Sequence, residues 1–139
     1  MPTVLIVDDE QHIRLLIEQT LEELEDDGVE LLTARDGEEA LDVVANQHPD
    51  LVFLDVMMPK KDGFEVCRTI KGDPATAGTT VILLTAKGQA YDHEQGMAAG
   101  ADLYLTKPFD PDDLLTRARA ALGLGGGAGS TGGGAGGGF

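Results

Sequence analysis

Short apolar runs and helix-spaced apolar stripes take strict turns along this chain, and that alternation leaves few folds open. The runs are Val4–Val7, Leu31–Ala34, Leu51–Leu54, Val81–Leu84 and Leu103–Leu105. The first, third and fourth are nearly all apolar, which suits parallel strands covered on both faces. Between the first two, Ile13, Leu16, Ile17, Leu21 and Leu24 fall on one stripe of a helix that Gly28 is expected to close. Asp36-Gly37-Glu38-Glu39 places a capping acid three residues ahead of a Glu. The helix behind it is expected to bury Leu41, Val44 and Ala45 before His48-Pro49 stops it. A weakly apolar helix near Ala90–Ala99 ends at Gly100. The last helix opens with Asp110-Pro111-Asp112-Asp113, a capping acid followed by proline at the first helical position, and is expected to bury Leu114, Leu115, Ala118 and Leu122.

Five strand-helix units of this kind predict an α/β fold, a doubly wound five-stranded parallel sheet, because right-handed crossovers exclude most other topologies. The expected strand order is 2-1-3-4-5, the flavodoxin-like (βα)5 arrangement. One domain is expected over 1–122. The remainder, 123–139, is dominated by glycine with Ser130-Thr131 inside it, and reads as a flexible tail or linker with no core of its own.

Composition removes several function classes. Twenty-five acidic against 10 basic side chains give a net charge of −15, which repels phosphate backbones and anionic lipid surfaces. Direct contact with nucleic acid through this domain is not expected, and neither is a membrane partner. The same field favours a divalent cation. Cys67 is the single cysteine, so neither an internal disulfide nor a cysteine-based zinc cluster can form, and a reducing cytoplasm fits. Thr3–Val7 is too short and too soon followed by charge to be a signal peptide or a membrane span.

In an open sheet of this order the ligand crevice lies beyond the carboxyl ends of the strands, where strands 1 and 3 diverge. Asp8-Asp9 end strand 1 and Asp55 ends strand 3. Three carboxylates in one pocket repel one another unless a cation or a proton offsets them. Oxygen ligands without His or Cys favour magnesium, with manganese as the alternative, over zinc. Strand 4 ends in Thr85-Ala86 and strand 5 in Thr106-Lys107-Pro108. A carboxylate nucleophile, a divalent cation, a hydroxyl and an ammonium are the parts that phosphoryl transfer requires, because its transition state spreads charge over three equatorial oxygens.

The stretches VLIVDDE, DLVFLDVMMPKKDG, VILLTAKG and GADLYLTKPF, in that order, resemble the four signature stretches of receiver domains of two-component response regulators, including the chemotaxis-regulator type. The resemblance runs from Val4 to about Leu122. It implies that Asp55 accepts a phosphoryl group from the phosphohistidine of a histidine kinase or phosphotransfer protein. It further implies that Asp9 ligates magnesium directly, that Asp8 assists, and that the main-chain carbonyl of Met57 completes the ligands with Asp55. Thr85 and Lys107 would contact the phosphoryl oxygens, and Pro108 would follow a cis peptide bond. Thr85 and Tyr104 would be the switch pair. The docking face for a partner, or for a second copy in a homodimer, would lie around the helix near Ala90–Ala99, the fifth strand and the last helix.

Two departures from that pattern stand out. Lys60-Lys61 add positive charge to the loop after Asp55, either to recruit a phosphodonor or, as is expected of surface lysines, simply as solvated side chains. Met57 occupies a position where an amide or acid can orient the attacking water, and a thioether accepts hydrogen bonds only weakly, so the phosphoryl group on Asp55 is expected to be long-lived. The rival reading is a phosphatase of the haloacid-dehalogenase type, which needs a second Asp two residues after the nucleophile. That place is Met57, so self-directed chemistry rather than turnover of outside substrates is expected. A plain binding module would require the acid cluster to be incidental. Cys67, at helical spacing from Phe64 and Ile70, reads as core, and His12, His48 and His93 show no ligand spacing.

Overall fold

A computed structural model describes residues 2–58, 62–86 and 97–124. Its five strands are β1 (Thr3–Val7), β2 (Glu30–Ala34), β3 (Leu51–Asp55), β4 (Thr80–Ala86) and β5 (Leu103–Lys107). Its α-helices are α1 (Gln11–Leu21), α2 (Gly37–Gln47), α3 (Gly63–Gly72) and α4 (Pro111–Leu122). Every strand pair is parallel and the order is β2-β1-β3-β4-β5, as the sequence pattern predicts.

Successive strand residues serve opposite faces of the sheet. Leu5, Val7, Val52, Leu54, Val81 and Leu83 meet α2 and α3 through Ala40, Val44, Phe64, Val66, Cys67 and Ile70. Val4, Ile6, Leu51, Phe53, Ile82 and Leu84 meet α1 and α4 through Ile17, Leu21, Leu114 and Ala118. All of these strand residues are buried, which is why β1, β3 and β4 read as unbroken apolar runs. Each large side chain so buried contributes about 1.5–3 kcal/mol.

The helix starts follow their capping residues. Asp36 Oδ1 accepts the Glu39 N–H at 2.9 Å, and Glu39 Oε1 accepts the Arg35 N–H at 2.8 Å, so the reciprocal half of the capping box lands one residue early. Asp110 Oδ1 accepts the Asp112 N–H at 3.0 Å, with Pro111 at the first helical position. His48 closes α2 in the left-handed region at φ 48°.

Three expectations need correction. The first helix does not run unbroken to Gly28, because α1 stops at Leu21 and a 3-10 helix, Glu22–Asp27, carries the chain to Gly28 at φ 86°. Five acids crowd that segment at the negative end of the helix dipole, which disfavours a longer α-helix. Arg119 of α4 offsets part of the charge through Glu23 at 2.7 Å and Asp27 at 3.2 Å. Leu16 is 41% exposed, since it sits about 100° around the helix from buried Ile17. Ala45 is exposed and Ala40 is buried in its place, because Ala40 shares a face with Val44 and Ala45 is one step further round. Leu41, Leu115 and Leu122 are partly buried. The helix expected near Ala90–Ala99 lies largely outside the described residues, and its final turn closes at Gly100, φ 90°. Most of the 123–139 tail also lies outside them.

Candidate functional site

The sheet order sets the place. α1 leaves β1 toward one face and α3 leaves β3 toward the other, so a crevice opens between the carboxyl ends of these neighbouring strands. Val7 pairs with Leu54, which sets Asp8 beside Asp55. Asp55 pairs with Leu84, Thr85 with Thr106 and Ala86 with Lys107, so the four strand ends line up on one edge.

Lys107 ties the acids together. Its Nζ donates to Asp8 Oδ2 and to Asp55 Oδ1, both at 3.0 Å. Asp8 is fully buried and Asp55 is 5% exposed, whereas Asp9 faces solvent. Each Asp8 oxygen is engaged by the chain itself. Oδ1 accepts the Glu10 N–H at 2.9 Å, Oδ2 accepts Lys107, and the main-chain carbonyl accepts Arg14 Nη1 at 2.6 Å. Asp8, Asp9 and Asp55 each offer a carboxylate oxygen, and the three atoms lie within 4.8 Å of one another. Hard oxygen donors at that spacing fit a small divalent cation of the magnesium type.

Burial and like charge govern the titration of this pocket. The Asp55 carboxyl is pushed up from 3.8 to about 6, first by desolvation, then by the neighbouring charge of Asp8, with Lys107 pulling the other way and Asp9 adding a smaller push. Burial works against the Lys107 ammonium, yet its hydrogen bonds and charge pairing with Asp8 and Asp55 outweigh this and raise its pKa above the usual lysine value. At neutral pH the pocket therefore holds an ionised Asp55 and a charged Lys107.

The remaining expected residues fall as follows. Thr85 is buried one residue beyond Leu84, the strand partner of Asp55. The Met57 side chain is 72% exposed, two residues beyond the end of β3 at Asp55. Tyr104 is half-buried on β5 and packs on the α2/α3 side of the sheet. The Lys107-Pro108 bond is cis. Lys60 and Lys61 lie outside the described residues. Cys67 is core: its Sγ contacts Ala99 O at 3.5 Å, and burial raises the thiol to about 11. Arg14 was not singled out by the sequence pattern, although its place one turn into α1, on the same side as the strand end, puts the guanidinium within reach of Asp8.

An open α/β sheet with an acid-and-lysine pocket at its switch point defines a class of signalling domains, and the comparisons name it. The Response regulator receiver domain family matches residues 4–119, and this chain belongs to that family. It is 44% identical over 122 residues to the DNA-binding dual master transcriptional regulator RpaA of Synechocystis sp., covering 88% of this chain and 49% of that protein. It is 39% identical over 117 residues to Protein PilG of Pseudomonas aeruginosa, covering 84% of each. The chain thus spans about half the length of the transcriptional regulators it matches. Among solved structures, a response regulator of Chloroflexus aurantiacus aligns with TM-score 0.80 at 35% identity, over 88% of this chain and 99% of that one. The chemotaxis response regulator CheY4 of Vibrio cholerae aligns with TM-score 0.77 at 35% identity, over 88% and 99%.

Proposed function

We propose that this domain is a phosphorylation switch, in which Asp55 takes a phosphoryl group from the phosphohistidine of a histidine kinase or phosphotransfer protein. A carboxylate oxygen of Asp55 attacks phosphorus, the P–N bond breaks, and its electron pair returns to the imidazole nitrogen, leaving an aspartyl phosphate. The observation that carries this reading is the Lys107 ammonium held 3.0 Å from both Asp55 and Asp8 at the strand ends. A fixed positive charge at the accepting carboxylate would offset the charge of the phosphoryl oxygens that arrive there. Thr85, buried at the end of β4 between β3 and β5, supplies a hydroxyl on the same edge of the sheet.

Asp9, Asp55 and the Met57 carbonyl would hold a magnesium ion, with Asp8 behind them, and that ion supplies charge to offset the phosphoryl oxygens. Manganese has the same preference for oxygen donors. Solvent exposure of Asp9 and full engagement of Asp8 support this division of roles. The protein acts on itself and is not a turnover enzyme, since Met57 stands where a phosphatase of the rival type needs its acid.

The output face lies around β5 and α4, with Thr85 and Tyr104 linking it to the pocket; the segment near Ala90–Ala99 expected to share it lies largely outside the described residues. A partner, or a second copy of the chain, docks there. A cytoplasmic setting follows from the proposed exchange with a histidine kinase or phosphotransfer protein; among the described residues no helix is long and apolar enough to cross a membrane. The DNA-binding role in the name of RpaA belongs to that longer protein; here the net charge of −15 argues against direct nucleic-acid contact.

Incubation with a small acyl-phosphate donor and magnesium, followed by intact mass measurement, tests the proposal. One phosphoryl adduct is expected on the parent, none with a chelator and none on Asp55→Asn. An unmodified parent, or an equally modified variant, overturns it.

A further inference from the structure

We infer that Gly63 is a positioning residue of the acid pocket, because its missing side chain lets the start of α3 press directly on the Asp55–Val56 peptide and so fixes the carbonyl that follows at Met57. The inference rests on the metal reading above. A Cβ at position 63 would overlap the main-chain oxygen of Asp55 and stand 2.8 Å from Val56 Cα and 3.0 Å from Asp55 C. These are backbone atoms, which cannot swing aside as the end of a side chain can. Among the described glycines, positive φ occurs at Gly28, Gly100 and Gly123, so Gly63 is required for space and not for backbone freedom.

The contact is backed on both sides. The Gly63 N–H donates to Val56 O at 2.9 Å, and the Val56 N–H donates to Leu84 O at 3.2 Å on β4. Val56 is thereby held by its nitrogen to the sheet and by its oxygen to α3. Asp62 Oδ1 accepts the Glu65 N–H at 2.9 Å and sets where α3 begins. Phe64, Val66, Cys67 and Ile70 bury α3 against the sheet, so the helix cannot retreat freely. Met57 is the next residue after this double clamp. An added methyl at 63 must displace either the Asp55–Val56 peptide or the helix start, and both move the ligands relative to Asp8 and Asp9.

Calorimetric titration with magnesium alone tests this on the parent, Gly63→Ala, Gly72→Ala and Ile17→Val. Gly72 has nothing within 4 Å of a built Cβ, and Ile17 is core on the opposite face of the sheet, so these two changes report on Gly-to-Ala substitution and on core loosening without touching the clamp. Loss of a supporting contact around a metal site costs about 10- to 100-fold in affinity. Gly63→Ala, folded by circular dichroism, is expected to bind magnesium at least about tenfold more weakly, while the other two match the parent. Equal affinity for Gly63→Ala, or an equal loss in Ile17→Val, overturns the inference. Should Gly63→Ala fail to fold, amide hydrogen exchange in the parent decides: protection at Gly63 comparable to β3 is expected, and exchange at the rate of an open loop overturns it. A parent that binds no magnesium removes the metal reading and this inference together; a parent that binds while Gly63→Ala binds equally removes the inference alone.

Discussion

Replacing Asp55 by Asn should make the metal-free protein more stable at neutral and alkaline pH. The Asp55 carboxyl sits at about 6 in the folded chain against 3.8 for the free group, so the folded state holds its proton more tightly than the unfolded state does. Folding is therefore favoured as pH falls from about 6 toward 4, and above about 6 the ionised carboxylate weighs fully against the fold. At ~1.4 kcal/mol per pKa unit the cost approaches ~3 kcal/mol. Asn keeps the shape and an acceptor for Lys107 but surrenders the charge-assisted part of that bond, leaving an expected gain of about 1–3 kcal/mol. Urea unfolding in chelator, run on parent and Asp55→Asn from pH 4 to pH 8, measures it. The gap should be widest at pH 7–8 and close toward pH 4. A variant less stable than the parent at pH 8, or a gap that ignores pH, refutes the claim that buried like charge dominates this pocket.

Removing the bridging cation works in the opposite direction: Lys107→Ala should lose about 1–3 kcal/mol at pH 8 by leaving Asp8 and Asp55 uncompensated, and less near pH 5, where Asp55 takes up its proton. Chemical denaturation at the two pH values checks both size and trend. Phe53→Ala, from a fully buried side chain between the sheet and the α1/α4 layer, should cost about 3–5 kcal/mol in the same assay. Met57→Asn should shorten the life of the phosphoryl group on Asp55, because an amide can orient water where the exposed thioether cannot. The decay of the phosphorylated mass with time reads this out, and equal decay in parent and variant would count against it.

Much of the arrangement was legible because it is written in strand ends. A run such as Leu51–Leu54 that stops on Asp55 marks both a buried parallel strand and the edge where its last side chain escapes the core, and Lys107 and Thr85 carry the same mark on β5 and β4. Less legible was the division between Asp8 and Asp9, since two adjacent acids look alike in sequence. Alternation along the strand sends Asp8 into the pocket and Asp9 to solvent. Arg14 was hidden for a different reason: its contact with the Asp8 carbonyl depends on how α1 leaves β1, which helical periodicity does not specify. Nor does periodicity distinguish an α-helix from the tighter 3-10 turns of Glu22–Asp27, where buried Leu24 continues the apolar stripe while the local charge resists the longer helix. Gly63 appears in sequence only as a turn residue after Asp62; the backbone it touches is set by tertiary packing.

Peptide mapping of the protein after reaction with a phosphohistidine donor and magnesium tests the central claim most directly. The account predicts that the phosphoryl group lies on the fragment containing Asp55 and on no other, and that it vanishes when Lys107 is replaced by Ala under the same brief exposure. A phosphoryl group found on the fragment carrying Asp8, Asp9 and His12, or full labelling of Asp55 without Lys107, would contradict it.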